Sequence, residues 1–362
     1  MRDEKKYFNA FNLVPAIGAV RLTQLQNHFP DLKTAWSASL PELELTRIPQ
    51  NALQQLIETR KRVDPDAEYE KLLNQNISLL TPADDGFPAL LREIPQSPCT
   101  LYVKGEFLTN RDPAVAVVGT RRVTDYGKRV TEDMVRDLVR SNVAVISGLA
   151  LGADSVAHKT AVNYSGKTAA VLACGLDSVY PAANRQLAER ILEAGGALVS
   201  ELPLGTPPLR HHFPNRNRII SGLALGTLVV EAAAESGALI TARHALEQNR
   251  QVFAIPGSIY SELSAGPHNL IKMGAKLVSS VQDILEELNL EHLQQEIIIQ
   301  KIIGDTKEEQ LILDQLSREP IHADQITKNT GLQTSEVSST LTILEMKGKI
   351  KNLGANQYVL SR

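Results

Sequence analysis

Residues 114–175 read AVAVVGTRRVTDYGKRVTEDMVRDLVRSNVAVISGLALGADSVAHKTAVNYSGKTAAVLACG, in which three short runs rich in small and β-branched residues, AVAVVG, VAVISG and TAAVLACG, are separated by stretches of helical character. A strand that is apolar at successive residues is buried on both faces, and strands joined through helices at this spacing lie parallel. The pattern continues with ALVSE at 197–201, GTLVVEA at 226–232, QVFAIPG at 251–257 and AKLV at 275–278. From Ala114 to about Val278 the chain is therefore predicted to be α/β, with a parallel-rich sheet between helices. In such folds ligands sit at the carboxyl ends of the strands.

Outward from this core, residues 7–75 show helical periodicity, with Leu22, Leu25, Phe29 and Leu32 on one face and Leu53, Leu56 and Ile57 on another. A small helical domain over 1–80 is expected. Its segment LVPAIGAVRLTQLQNHF has the outline of a helix-hairpin-helix, whose glycine turn offers backbone amides to a phosphate. Ala19 and Val20 stand where the second glycine belongs, so packing alone and DNA contact both remain open for this domain. The Pro- and Gly-dense stretch PADDGFPALLREIPQSPCTLYVKGE opens the central domain, drawn at 81–283, and ends in a short strand at Leu101–Val103. A helical linker is expected at 284–306. Beyond it, 307–362 reads as helix, helix-turn-helix and a two-stranded wing, with breaks at Gly331 and Gly354. The second helix of that unit offers Glu336 and Glu345 against Lys347 and no arginine, which argues against strong reading of a major groove.

Composition bounds the function. A chain of 362 residues exceeds one ordinary core and suggests two or three domains. Its formal net charge of −3 argues against a protein that coats nucleic acid with its whole surface, so any such site is a local patch. Cys99 and Cys174 stand far apart without a CxxC or Cys/His cluster, which supports neither a disulfide framework nor structural zinc. The N-terminus MRDEKKYFNAF has no apolar core of a signal peptide, and no apolar run of about 18 residues occurs, so the expectation is a cytoplasmic protein without membrane contact. SGKT at 165–168 imitates the end of a P-loop but precedes a strand instead of following one, and Ala161 stands where its glycine belongs.

Candidate site residues collect at predicted strand ends. Gly119 allows a tight turn after the first core strand, and Arg121 and Arg122 follow where a helix should begin, an arrangement that suits an anion. After the second strand, Gly148 and Gly152 flank a turn and Asp154 and His158 fall at i, i+4, with capping and site lining both open for Asp154. From Leu202 through Val230 there is no carboxylate, while Arg210, His211, His212, Arg216 and Arg218 are present. In an acidic molecule this is a local cationic surface. Phe213 sits among these cations beside Pro214, placed either to stack on a base or to anchor the loop in the core.

The runs VVGTRR, SGLALGAD, CGLDSVYPAAN, SELPLG, FPNRNRIISGLA, VVEAAAESGALITARHAL, FAIPG and GPHNLIKMGA resemble the successive signatures of the DprA/Smf family and cover the core almost continuously. The resemblance implies an extended Rossmann-like fold, flanked by a SAM/helix-hairpin-helix-like domain in front and a winged helix behind. It implies a dimer that binds single-stranded DNA in a positive pocket and loads RecA in natural transformation, with no catalytic residue, cofactor or metal. On this likeness Arg121 and Arg210 grip phosphate, the latter where relatives often have lysine, and Phe213 stacks on a base. Asn217 and Arg218 would complete the pocket, which the loop residues Gly119, Thr120, Arg122 and Gly148 would line. A rival reading takes GTLVVE as the strand end of a nucleotide-phosphoribohydrolase of the lysine-decarboxylase-like fold, with Glu231 catalytic. That fold carries PGGxGT where this chain has SGLALGT.

Overall fold

The computed structural model describes residues 2–291, 305–317 and 320–360. The chain forms two compact units, 1–295 and 296–362. The first unit opens with six helices, α1 (Arg2–Asn12), α2 (Ala19–His28), α3 (Leu32–Ser37), α4 (Leu40–Glu44), α5 (Gln50–Arg60) and α6 (Pro65–Asn74). Strand β1 (Ile77–Leu80), helix α7 (Ala89–Arg92) and strand β2 (Leu101–Gly105) follow. Then β3 (Ala114–Val118), α8 (Asp125–Arg140), β4 (Ala144–Ser147), α9 (Ala153–Asn163), β5 (Thr168–Val171), α10 (Arg185–Glu193) and β6 (Ala197–Ser200) alternate strictly. The alternation resumes through α11 (His212–Gly222), β7 (Gly226–Val229), α12 (Gly237–Glu247), β8 (Gln251–Ala254), α13 (Ala265–Lys272), β9 (Lys276–Leu277) and α14 (Val281–Glu287).

The sheet runs in the order β1-β2-β6-β5-β4-β3-β7-β8-β9. From β6 to β9 every pairing is parallel, and β1 and β2 close one end antiparallel. The seven runs read as core strands are the seven parallel strands of a Rossmann-like α/β fold, the parallel sheet that the pattern implied and the fold that the resemblance implied. Burial on both faces is direct in β3, whose Val115 and Val117 enter a cluster with Val135 and Leu138 while Ala114, Ala116 and Val118 enter another with Ile219 and Ala242. The chain leaves β3 toward β4, β5 and β6, then returns to the other side of β3 to lay down β7. That reversal puts the topological switch point, where doubly wound folds hold ligands, between β3 and β7.

Strand β1 lies within the stretch read as helical, because the four residues ISLL are too few to display a period. The helices α1–α6 share a core with the sheet: Phe11, Leu25 and Leu56 belong to one buried cluster with Tyr102, Leu149, Leu172 and Ile191. The buried Tyr102 hydroxyl donates to Asn9 Oδ1 (2.8 Å) and accepts from Asn12 Nδ2 (3.1 Å), fastening α1 to β2. Of the expected linker at 284–306, residues 292–304 lie outside the described residues. Among the described residues no helix is long and apolar enough to cross a membrane.

The second unit contains α15 (Lys307–Leu313), β10 (Ile321–His322), α16 (Ala323–Thr330), α17 (Thr334–Met346), β11 (Ile350–Gly354) and β12 (Gln357–Leu360). Gly331, left-handed at φ +72°, breaks α16 from α17. The wing gains a third strand, in the order β10-β12-β11, because Ile321 and His322 pair with Tyr358 and Gln357. Lys347, the cation beyond α17, is held by Asp305 (2.8 Å) and Glu309 (2.6 Å).

Candidate nucleic-acid interface

The loops after β3, β4 and β5 meet the first turn of α11 at the carboxyl edge of the sheet. Gly152 is left-handed at φ +81°, and a Cβ there would strike the Thr120 carbonyl, so only glycine lets the β4 loop lie against the β3 loop. Their backbones are joined: Thr120 N–H donates to the Glu231 carbonyl (2.7 Å) and Ala153 N–H to the Thr120 carbonyl (3.2 Å). Arg121 and Arg122 follow this anchored turn as exposed side chains. The helix expected at that point starts later, at Asp125, with Thr124 as its N-cap.

The loops enclose a depression lined by Arg121, Gly148, Ala150, Leu151, Tyr180, Phe213 and Arg216. Phe213 is half-buried, sits in the first turn of α11 and not on a loop, and belongs to no buried cluster among the described residues. The Arg121 guanidinium lies 5.7 Å from its ring centroid, and the Tyr180 ring meets it edge-on at 5.5 Å. A cation, a ring and a second, exposed ring therefore share one opening, the combination by which single strands are held: charge for the backbone, π-faces for the bases.

Arg216 forms the floor. Its Nη1 donates to the carbonyls of Gly148 (2.7 Å) and Val171, and its Nε to Asn217 Oδ1 (3.2 Å), while Nη2 has no acceptor among the described residues. A Cβ on Gly148 would stand 2.6 Å from that Nη2, so the glycine makes room for the guanidinium. Burial lowers the Arg216 pKa to about 10, and the side chain remains charged at neutral pH. Three of the five guanidinium N–H donors are spent on the fold, and the two on Nη2 have no acceptor among the described residues.

The expectation for Arg218 needs correction. Arg218 is buried, and its Nη2 contacts both carboxylate oxygens of Glu201 (2.5 Å each) while Nη1 reaches the Gln96 carbonyl. Its charge is satisfied inside the protein and it does not line the depression. Helix phase explains the exchange: Arg216, at i+3 from Phe213, shares its face, whereas i+5 points away. Asn217 is half-buried and spans to α12, donating to the Gly237 carbonyl (3.3 Å). Arg210 is exposed just ahead of α11. Among the pocket residues left out of the sequence-derived set, Tyr180 brings a ring and Arg216 a charge. Spacing from Phe213 could have found Arg216; for Tyr180 the sequence carries no comparable signal.

Beneath the site, Asp154 Oδ2 accepts from Gly148 N–H (3.1 Å) and Ala150 N–H (3.3 Å), so this carboxylate braces the β4 loop. Burial raises its pKa, and the nearby Arg216 charge opposes the shift. His158 is wholly buried, its Nδ1 2.8 Å from Thr168 Oγ1, and burial lowers its pKa to about 3. The unfolded chain takes up that proton near pH 6.5 and the native one does not, so stability is lost as pH falls from there toward the folded value, at roughly 1.4 kcal/mol per pH unit. Urea titrations at pH 7 and 5 should show this loss, and His158→Gln should flatten it; equal slopes in the two proteins would contradict the assignment.

The family profile described as DNA recombination-mediator protein A matches residues 78–289, and that of the DprA winged helix domain matches residues 300–356. Protein Smf of Synechocystis is 36% identical over 98% of each chain. The DNA processing protein DprA of Bacillus subtilis is 36% identical over 76% of this chain and 95% of its own. Among solved structures, DprA of Streptococcus pneumoniae superposes with a TM-score of 0.66 at 35% identity, covering 78% of this chain and 97% of that one. DprA of Helicobacter pylori, solved to describe its single-stranded DNA binding mode, gives 0.53 at 27% identity over 59% of this chain and 96% of its own.

Proposed function

The chain belongs to the DNA recombination-mediator protein A family, also called DprA/Smf, and from that premise we propose that it binds single-stranded DNA at the carboxyl edge of its sheet. The observation that carries the reading is the convergence of Arg121, Phe213 and Arg216 on one depression, with a buried guanidinium whose Nη2 faces no acceptor among the described residues. In a chain of net charge −3 this is a local well for phosphodiester. Arg122 and Arg210 extend it along the strand, and Asn217 tunes the position of Arg216. By the same membership the protein acts as a dimer in the cytoplasm, shelters incoming strands and loads RecA on them. It works by binding, without cofactor or metal. Supporting this over glycosidic cleavage, both carboxylate oxygens of Glu231 are engaged by Thr124.

Fluorescence anisotropy with a labelled oligothymidylate and with a duplex, each at two salt concentrations, tests the proposal. Wild type should prefer the single strand with a steep salt dependence, and Arg121→Ala should bind more weakly with the salt slope reduced by about one. Equal affinity and slope in the variant would move the site elsewhere.

A further inference from the structure

Glu231 lies two residues past Val229, the end of β7, on the switch-point side, and is 4% exposed. Its ion-pair partner is missing: among the described residues no lysine, arginine or histidine forms a salt bridge with it, and its hydrogen bonds are those from Thr124. Thr124 N–H donates to Oε2 (2.9 Å) and Thr124 Oγ1 to Oε1 (2.6 Å). Thr124 is the N-cap of α8, a helix of 16 residues, so the carboxylate stands at the positive end of a long dipole. A Cβ on Gly127, in the first turn of α8, would overlap the carboxylate, so the helix is shaped around it. An unpaired buried carboxylate is costly unless backbone donors and a helix terminus compensate it.

In doubly wound folds a ligand's phosphate occupies this place, at the helix N-terminus after the first strand of the switch point. We propose that Glu231 is the built-in occupant of that phosphate position and a positioning residue for Arg121. The carboxylate fills the anion site with the chain's own charge, which excludes a nucleotide phosphate. It also ties the far end of the 119–124 loop to β7, while the Glu231 carbonyl holds the near end through Thr120 N–H (2.7 Å). Arg121 lies between these ties and is thereby presented to Phe213. The anion site is displaced from the crevice to the surface of the loop, where a polymer can reach it and a mononucleotide gains no enclosing cleft.

The positioning part rests on the single-strand reading; the occupancy part does not, and the experiment separates them. In anisotropy titrations Glu231→Ala should lose as much single-strand affinity as Arg121→Ala, and the double variant should lose no more than either alone. In thermal melts sodium formate, which supplies the missing carboxyl group, should raise the melting temperature of Glu231→Ala relative to sodium chloride at equal ionic strength, and leave wild type and Arg121→Ala unchanged. Wild-type affinity in Glu231→Ala, or additive losses in the double variant, overturns the positioning role. No selective effect of formate overturns the occupancy. If Glu231→Ala does not fold, Glu231→Gln, which keeps one acceptor for Thr124, carries the anisotropy titrations, and refolding of Glu231→Ala in sodium formate but not in sodium chloride carries the occupancy. A wild type that fails to bind single strands would defeat the proposed function while leaving the formate melts decisive for the occupancy.

Discussion

Phe213→Ala is expected to weaken single-strand binding by about 1–3 kcal/mol, roughly five- to 150-fold, without changing how binding responds to salt. The two halves have separate causes. On the proposed function the ring offers a π-face to a base, with Arg121 at 5.7 Å and Tyr180 at 5.5 Å packed beside it. It neutralises no phosphate and so releases no counterion, which leaves the slope of log affinity against log salt where it was. Since Phe213 belongs to none of the buried clusters among the described residues, its truncation should cost the fold little. Phe213→Trp should retain binding and Phe213→Leu should not, because leucine preserves apolar contact but has no face to stack. Anisotropy titrations at three salt concentrations measure both quantities. Parallel lines displaced downward are the expected result; coincident lines would remove Phe213 from the interface.

The parallel core was legible because strands buried on both faces spell themselves as continuous apolar runs, and all seven of those runs became strands. The edge strand β1 was not legible, since ISLL is short and one of its four residues is exposed. Within the site, composition located the right segment but not the right side chains. The run free of carboxylates begins at Leu202, and the residue just before it, Glu201, is the one that neutralises Arg218. Charge counted along a sequence cannot reveal such a pairing, because α11 turns each cation to a different neighbour. Reading 212–222 as helix would have supplied the phase: Pro214 falls in the first turn, where proline is tolerated, and Arg216 then stands beneath Phe213. Similarly, Arg121 and Arg122 were placed at a helix start, whereas Val123 and the capping Thr124 intervene, and the arginines gain the exposure that a polymer needs.

Arg216→Met should have the largest combined effect, weakening the fold and the interface together. The guanidinium is buried and bonded to the Gly148 and Val171 carbonyls. Its removal leaves those acceptors without a donor and Asp154 without its nearby cation, a loss of roughly 3–5 kcal/mol by analogy with breaking a buried charge pair. Asp154 is already raised in pKa by burial, and without Arg216 it should rise further. A carboxyl whose native pKa exceeds its unfolded value contributes stability at low pH that is lost as pH rises through the native pKa. The variant's deficit relative to wild type should therefore be smaller in acid and grow toward neutrality. Asp154→Asn in the same chain removes the stranded charge and should recover part of the stability, with no recovery of single-strand affinity, because the donor facing the depression is still gone. Arg216→Lys keeps the charge but not the fork, and cannot hold two carbonyls while presenting a further donor in the same geometry. Urea unfolding and anisotropy on these three proteins separate the two roles of the residue. If the double variant regained binding together with stability, Arg216 would be a structural arginine only, and the phosphate contact would fall to Arg121 and Arg210.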